Sequence, residues 1–374
     1  MTVRRLVVRG FRNLRSQEIR LGGRVTLLWG PNGAGKTNVL EALCVALSGR
    51  SCRTRDERET IAFEHPLARV EVEIEDGAGG RRFMWSISRS GERRRTMNGH
   101  PLVPDTGGER PPLSIFLPER LALIKGPPAG RREHLDHLAA AIWPAHAQTR
   151  KAYGRALAQR NALLSRVRAG LAPGDSLEAW DAEVARVGVE LMGGRRRLAT
   201  KLALALAGAA GELGLPAEAA LAYRPRARTE DTQALAEELR ERRDADVRAG
   251  RTTCGPHLDE LELSLGGRSV RRYGSQGEQR SVLLALLLAE RRALLEARGT
   301  PPLMLLDDVM SELDAERRAV LARVLAEGEG QALVTSTEPA HLLSGCERAE
   351  YALRQGEAIA SPGAVTGEPE RVAA

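Results

Sequence analysis

The sequence predicts an α/β fold whose sheets come from the two ends of the chain, with a helical domain inserted between them. Near the N-terminus, an apolar segment runs into the glycine-rich turn GPNGAGKT, and an amphipathic helix pattern follows, all within residues 25–47. Near the C-terminus, a second apolar segment ends in two aspartates within PPLMLLDDVMSELD, residues 301–314. Between them, residues 130–245 are rich in Ala, Leu, Arg and Glu with helical periodicity. One α/β domain interrupted by helices accounts for all three observations.

The turn GPNGAGKT matches the pattern G-x-x-x-x-G-K-[ST], in which each residue type has a chemical task. Its glycines let the backbone fold into a nest of N–H groups around a β-phosphate. Lys36 reaches the β- and γ-phosphates, and the Thr37 hydroxyl ligates Mg²⁺. The sequence therefore predicts a site for a nucleoside triphosphate and Mg²⁺. The predicted binding residues are Gly30, Pro31, Asn32, Gly33, Ala34, Gly35, Lys36, Thr37 and Asn38.

The two aspartates at the end of the C-terminal segment supply the acidic groups that such a site needs. Leu303 to Leu306 reads as a buried strand, and ligands bind at the carboxyl ends of strands in open α/β sheets. We expect Asp307 to hold Mg²⁺, directly or through water, and Asp308 to position and polarise the attacking water. Lys36 and Asp308 are the predicted catalytic residues. Taken alone, the pair would be equally well explained by an acidic turn that caps the next helix.

A serine stands at the start of a long apolar helix pattern in YGSQGEQRSVLLALLLAE, residues 273–290. Ser275 and Glu278 have the spacing of a capping box, which would make the serine a helix cap. The same Gly-Ser-x-Gly turn, with Gly277, also suits an anion, because free N–H groups and the helix dipole point outward at a helix N-terminus. Both interpretations remain open at this point.

We divide the chain into four segments. Residues 1–125 form the N-terminal half of the α/β domain, and residues 69–102 alternate apolar and polar side chains around DG and NG turns, which predicts an antiparallel meander. Residues 126–248 form the inserted helices, with interruptions at Pro173-Gly174, Gly193-Gly194 and Pro216. Residues 249–356 form the C-terminal half, with a last strand near Glu350–Arg354, and residues 357–374 are expected to be a disordered tail.

Composition favours a cytoplasmic protein with an acidic partner. No apolar run has the length of a membrane span, and the N-terminal residues lack the apolar core of a signal peptide. Four cysteines without CxxC pairing argue against a zinc site and against a disulfide framework.

The net charge of +7 makes nucleic acid a plausible partner, and the 3% aromatic content is too low for a base-stacking platform. DNA contacts are therefore expected to be mostly to phosphates.

These motifs together resemble the ATP-binding-cassette architecture shared with SMC proteins, a P-loop ATPase head split by an insertion. Within that superfamily the chain is most similar to the RecF family of bacterial repair proteins, over nearly its whole length. The "LIKGPPAGRR" and "GPHLDEL" segments are the more specific ones. The blocks that carry the resemblance are GFRNL (10–14), GPNGAGKTNVLEAL (30–43), SGRSCRTRDE (48–57), FLPERLALIKGPPAGRREHLD (116–136), CGPHLDEL (254–261), YGSQGEQRSVLLALLLAE (273–290) and LLDDVMSELD (305–314).

The resemblance implies a weak, DNA-stimulated ATPase of recombination, replication restart and the SOS response. It implies an ATP-dependent homodimer that binds duplex DNA and single/double-strand junctions, and acts with RecO and RecR to load RecA at gaps. Ser275 and Gly277 would contact the γ-phosphate of the partner subunit's ATP, and Asp314 would lie in a dimer-facing loop. The sequence departs from related heads at FLPER, where Glu119 stands in a segment that usually supplies a metal-contacting glutamine. Asp308 stands where many cassettes have glutamate, and the shorter acid suits slow hydrolysis.

Besides another SMC-like repair ATPase, two functions outside DNA repair stay open at the level of sequence. A transporter's ATP-driving subunit shares the nucleotide motifs, but the typical LSGGQ is absent and the basic charge would have no explanation. A nucleotide-gated clamp that binds ATP and barely hydrolyses it is the second alternative. Stimulation of ATP hydrolysis by gapped DNA separates these functions from a DNA-repair ATPase.

Overall fold

The computed structural model describes residues 1–76, 79–102, 111–338 and 348–361, and the chain divides into two compact units. The first unit comprises Met1–Arg120, Glu212–Gly214 and Leu294–Ala374. The second comprises Leu121–Gly211 and Leu215–Ala293. The first unit is thus assembled mainly from the two ends of the chain. The predicted domain bounds at residues 125, 248 and 356 stay a prediction.

The N-terminal part of the first unit is mostly β-structure around one helix. An antiparallel sheet has the strand order β2-β1-β4-β5-β6-β7. Along β4 the buried side chains alternate with exposed or partly exposed ones, because successive residues of a strand point to opposite faces. The elements are β1 (Thr2–Arg9), β2 (Gln17–Arg20), β3 (Val25–Trp29), α1 (Lys36–Ser48), β4 (Leu67–Asp76), β5 (Gly79–Ser88), β6 (Arg93–Met97), β7 (His100–Pro101) and β8 (Leu113–Phe116).

The second unit is largely helical and contains a small sheet in the order β11-β10-β9. Its core includes apolar side chains of three helices, among them Tyr153, Leu191 and Leu235. The elements are α2 (Ala122–Lys125), α3 (Pro128–Ile142), α4 (Ala145–Arg168), α5 (Glu178–Glu212), β9 (Ala219–Arg224), α6 (Thr232–Glu241), α7 (Arg243–Ala249), β10 (Glu260–Leu265), β11 (Arg268–Ser269), α8 (Val270–Tyr273) and α9 (Gln276–Arg298). The last residue of α5 and the end of α9 from Leu294 onward belong to the first unit.

The C-terminal part returns to the first unit and completes a second sheet, in the order β15-β14-β3-β13-β12-β8. All neighbours in this sheet are parallel except β14 and β15. The first sheet, α1 and the second sheet share one apolar core. Because β3, β12 and β13 are parallel neighbours, their carboxyl ends meet at one edge. The elements are β12 (Leu303–Leu306), α10 (Ala315–Glu327), β13 (Ala332–Ser336), β14 (Arg348–Arg354) and β15 (Glu357–Ala360); single 3₁₀ turns occur at Glu57–Thr60, Pro118–Leu121, Gly174–Leu177, Pro256–Leu258 and Val309–Glu312.

Several predictions about single elements are confirmed. The apolar segments before GPNGAGKT and before the two aspartates form β3 and β12, and the predicted last strand is β14. The predicted meander is present as the antiparallel strands β4 to β7, as the alternation and the NG turn predict. Residue 77, the glycine of the predicted DG turn, lies outside the described residues. Helices α4 and α5 are separated at Pro173-Gly174, one of the predicted interruptions of the helical segment. No helix in the described ranges is long and apolar enough to cross a bilayer.

Two predictions are wrong. Helix α5 continues through Gly193-Gly194, where a break was predicted. A Cβ at Gly194 would lie 2.5 Å from Nδ1 of His146, so this glycine allows close packing against α4 and does not end the helix. Residues 357–360 were expected to be disordered, yet they form β15, because a turn at Gln355 and Gly356 with φ of 46° and 79° folds them back onto β14. The rest of the predicted tail, 362–374, lies outside the described residues.

Candidate nucleotide-binding site

The loop between β3 and α1 has the backbone geometry that the glycine pattern predicts. A Cβ at Gly30 would lie 2.3 Å from the carbonyl oxygen of Leu353, and a Cβ at Gly35, whose φ is 107°, would lie 2.9 Å from Cδ2 of Leu14. Only glycine is tolerated at both positions. Helix α1 begins at Lys36 and receives no side-chain cap among the described residues. Its first N–H groups are therefore available to an anion at the helix N-terminus.

The Lys36 ammonium lies inside this loop. Its Nζ donates to the carbonyl oxygens of Gly30 at 2.7 Å and Pro31 at 3.1 Å, and the residue is only 7% exposed. Burial lowers the pKa of Lys36, while the nearby Asp308 and Asp307 oppose that shift. The loop thus holds a positive charge against its own carbonyl groups, where phosphate oxygens can replace them as acceptors.

Asp307 is held by two threonine hydroxyls from different parts of the chain. The hydroxyl of Thr37 donates to its Oδ2 at 2.8 Å, and the hydroxyl of Thr335 donates to its Oδ1 at 2.6 Å. Thr37 follows β3 and Thr335 lies on β13, so parallel strands bring these groups to the predicted sheet edge. The carboxylate is consequently fixed in one orientation beside the first turn of α1.

Asp308 differs from its neighbour in conformation and in hydrogen bonding. Its backbone is left-handed with φ of 46°, which is uncommon for a residue other than glycine. Its N–H donates to the Thr335 hydroxyl at 2.9 Å, so Thr335 connects both aspartates. Among buried polar atoms of the described residues, Oδ1 of Asp308 has no hydrogen-bond partner. An unpartnered buried carboxylate oxygen in strained backbone is typical of a functional group.

The segment GFRNL braces the loop, a task that sequence reasoning missed. The side-chain amide of Asn13 donates from Nδ2 to the carbonyl oxygen of Gly33 at 2.9 Å. Its Oδ1 accepts from Nδ2 of Asn38 on α1 at 2.7 Å. The guanidinium of Arg12 makes two hydrogen bonds of 2.9 Å to Glu41, which is fully buried on α1. The one available signal was the place of GFRNL among the blocks of the family resemblance.

One cavity of about 1100 Å³ in the first unit is lined by Arg12, Asn13, Lys36, Thr37 and both aspartates, and it also has a less polar end. Phe63, 99% exposed, and Ile61 contribute apolar surface there. The loop that carries Phe63 is fixed by Arg89, whose Nε donates to the carbonyl oxygen of His65 at 2.9 Å and whose Nη2 donates to that of Ala62 at 3.1 Å. Arg53 and Arg58 also line the cavity. The cavity thus combines a polar end, which contains cations, carboxylates and the N–H groups of the phosphate loop, with an apolar rim.

Of the predicted site residues, the cavity brings together Asn32, Gly33, Gly35, Lys36, Thr37, Asn38, Asp307 and Asp308.

Ser275 and Gly277 belong to the second unit, at the start of α9. There Ser275 N donates to Glu278 Oε2 at 2.7 Å and Glu278 N donates to Ser275 Oγ at 3.2 Å, so the capping box is formed. Asp314 caps α10 by accepting from Arg317 N at 2.9 Å. The side chain of Glu119 lies outside the described part of the structure.

The donor set suits Mg²⁺ better than a metal that needs an all-protein cage. Mg²⁺ uses one or two oxygen ligands from the protein and completes its shell with water and phosphate oxygens. Thr37 Oγ1 and Asp307 Oδ2, 2.8 Å apart, are hard oxygen donors at one edge of the phosphate loop. The described residues contain no group of three or more His, Cys, Asp or Glu side chains that would form a cage.

The split α/β unit, the phosphate loop and the aspartate pair define the class: the chain is a P-loop protein of the ATP-binding-cassette and SMC type. The family described as RecF/RecN/SMC N terminal domain matches residues 2–357. The DNA replication and repair protein RecF of Anaeromyxobacter dehalogenans is 38% identical over 375 residues, 96% of this chain and 98% of that protein. That of Heliobacterium modesticaldum is 35% identical over 349 residues, 90% of this chain and 92% of that protein. The chain belongs to the RecF family.

Solved structures agree with this assignment. The recombination mediator protein RecF-ATP in the RecFOR pathway superposes with a TM-score of 0.86 at 27% identity, covering 96% of this chain and 98% of that one. The Smc head domain of Pyrococcus furiosus superposes with a TM-score of 0.57 at 17% identity, covering 96% of both chains, and shows the shared fold alone.

Proposed function

We propose that this chain is a DNA-stimulated, weak ATPase that works in the cytoplasm in recombinational repair and replication restart. ATP binding with Mg²⁺ would join two copies head to tail, and the dimer would hold duplex DNA at gaps and single/double-strand junctions. Slow hydrolysis would then release the DNA. The RecF-ATP structure named above belongs to the RecFOR pathway, and on that basis RecO and RecR are the proposed partners in loading RecA.

The observation that carries the proposal is the contrast between the two adjacent aspartates. Asp307 has both oxygens engaged by hydroxyls, which suits a group that holds a metal in one position. Asp308 has a buried Oδ1 with no partner among the described residues, which suits a group that accepts a hydrogen bond from water. Bound Mg²⁺, held by Thr37 and Asp307, would neutralise charge on the β- and γ-phosphates.

The remaining side chains bind and orient the nucleotide. Lys36 would exchange the carbonyl oxygens of Gly30 and Pro31 for phosphate oxygens, while the uncapped N-terminus of α1 supports the same charge. Asp308 would orient the attacking water and accept its proton as the bond to the γ-phosphorus forms. Its left-handed backbone, tied to Thr335, keeps the carboxylate in place for this step.

Two substitutions test these roles separately. Lys36→Ala should abolish tight ATP binding in a folded protein, because it removes the cation of the phosphate loop. Asp308→Asn should keep ATP binding, lower the hydrolysis rate by about 100-fold or more, and prolong the DNA-bound state. Both are measured by nucleotide titration and by ATP hydrolysis with and without gapped DNA. Asp175→Asn, an exposed acid of the second unit, is the control.

Each outcome is decisive for one role. Normal nucleotide affinity in folded Lys36→Ala would remove the phosphate-loop assignment. Hydrolysis by Asp308→Asn at the unaltered rate would remove the base assignment. An unaltered protein that hydrolyses ATP without any response to DNA would favour a transporter subunit or another nucleotide-driven role over DNA repair.

A further inference from the structure

Helix α4 in the second unit has an exposed face that is basic and contains no acid. Its 24 residues include six Lys or Arg side chains and no Asp or Glu, whereas a segment of that length with the average composition of the chain would carry about three acids. Lys151, Arg155 and Arg166 are exposed. At about 100° per residue they lie within roughly 60° of one another around the helix axis. We call these three residues the basic face of α4.

The basic face is not neutralised by the protein itself. None of its three cations has a carboxylate within ion-pair distance in the described ranges. Arg160, on the buried side of the same helix, is paired with Asp181 at 2.7 Å and Asp246 at 2.6 Å. Other exposed arginines of this unit are paired too, namely Arg186 with Glu183, Arg224 with Glu262 and Arg240 with Glu237.

Helix stability does not explain this arrangement. Lys151 and Arg155 are four residues apart, where like charges repel each other across one helical turn. Arg166 lies in the last turn and is stabilised by the helix dipole, but Lys151 and Arg155 are too far from the C-terminus to gain from it. A glutamate at either position would have provided a favourable pair. The retained repulsion therefore indicates an anionic partner outside the chain.

Resting on the proposed DNA-binding function, we propose that the basic face of α4 contacts the phosphates of duplex DNA. At 1.5 Å per residue, Lys151 and Arg155 are about 6 Å apart along the axis, and Arg155 and Arg166 about 16 Å. The longer distance spans a major groove about 12 Å wide together with part of the phosphate backbone on either side. Lys151 and Arg155 would bind one strand, and Arg166 the other. Such contacts position the protein without reading sequence.

The test compares two triple variants that change the net charge equally. Lys151→Gln/Arg155→Gln/Arg166→Gln removes the basic face, and Arg186→Gln/Arg224→Gln/Arg240→Gln removes three exposed arginines that have carboxylate partners. Affinity for a gapped duplex is measured with saturating ATP at several salt concentrations, beside nucleotide affinity and the unfolding temperature. Each lost phosphate contact makes the slope of log affinity against log salt shallower by about 0.9. The slope of the first variant should therefore be shallower by up to about 2.7 than that of the unaltered protein.

The expected result is about tenfold or greater loss of DNA affinity at 0.1 M salt in the first variant alone, with nucleotide affinity and unfolding temperature unchanged. Equal losses in both variants would show a general effect of net charge and overturn the proposal. Unchanged DNA affinity and an unchanged salt slope in the first variant would show that DNA contacts another surface, and would overturn the proposal. If the unaltered protein binds no DNA in the presence of ATP, both the proposed function and this proposal fail. If it binds DNA but the first variant binds equally well, only the proposed contact surface is wrong.

Discussion

Asn13 uses both ends of its side-chain amide to hold the phosphate loop, and this role was not predictable from local pattern. Gly30, Lys36 and Thr37 could be identified because their tasks depend on spacing within one short motif. The contacts of Asn13 to Gly33 and Asn38 cross 20 and 25 residues, and that of Thr335 to Asp307 crosses 28. Such groups take their function from the fold that brings them together, which a single sequence does not display.

The brace predicts a specific loss at this residue. Asn13→Ala removes two hydrogen bonds of about 1 kcal/mol each, so ATP binding should weaken by up to about 30-fold while the fold is kept. The measurement is a nucleotide titration beside a thermal unfolding curve. Asn98→Gly, which removes an amide that accepts from Arg82 N in a hairpin of the first sheet, is the control. Unchanged ATP affinity in folded Asn13→Ala would show that the loop needs no brace.

At the scale of elements, the sequence predicts structure well where one pattern dominates a whole segment. The meander β4 to β7 follows from alternation and turn residues, and β3 and β12 follow from short apolar runs. Strand β9 was missed because AALAYR consists mostly of helix-favouring residues, and its strand conformation comes from pairing with β10, with Leu221 opposite Leu263. Pairing with β14 likewise explains why residues 357–360 form a strand and not a disordered tail.

Two neighbouring glycines of α5 should respond in opposite directions to the same substitution. A Cβ at Gly193 would meet nothing within 4 Å, so Gly193→Ala should raise the free energy of unfolding by up to about 1 kcal/mol through helix propensity. A Cβ at Gly194 would meet the buried His146 ring at 2.5 Å, so Gly194→Ala should lower it by about 1–3 kcal/mol.

Unfolding curves of both variants, recorded under the same conditions, check the sign. Because the two changes have identical chemistry, any general effect of replacing glycine cancels between them. Stabilisation by both substitutions would mean that α4 and α5 can move apart at no cost.

At the scale of the whole molecule, the question is whether Ser275 is only a cap. The structure shows the capping box, and we propose a second role in which the turn faces the γ-phosphate of a partner subunit's ATP. In a two-fold dimer each site would then use Lys36 of one copy and Ser275 of the other. This arrangement is implied by the family resemblance alone, because no local sequence pattern indicates which surfaces of two copies come into contact.

Mixing two defective homodimers tests the arrangement. Lys36→Ala and Ser275→Arg should each be nearly inactive alone, because both of their sites are damaged. After subunit exchange, half of the dimers have one site with both defects and one with neither, so ATP hydrolysis should recover to at most about a quarter of the unaltered level. Dimer formation is followed by light scattering, because strict coupling between sites would suppress the gain. If Ser275→Arg alone dimerises and hydrolyses ATP normally, the serine is only a cap.

The position of β3 in its sheet has a consequence for how the protein is made. This strand precedes the phosphate loop, and its two neighbours, β13 and β14, begin at Ala332 and Arg348, about 300 residues later. At about 5–20 residues per second, a ribosome needs roughly 15–60 s to supply them. During that interval β1, β2 and β4 to β7 can already pair with one another, whereas β3 has no neighbour in its own sheet. The nascent chain therefore carries its phosphate loop for most of its synthesis before the loop can acquire its acidic partners.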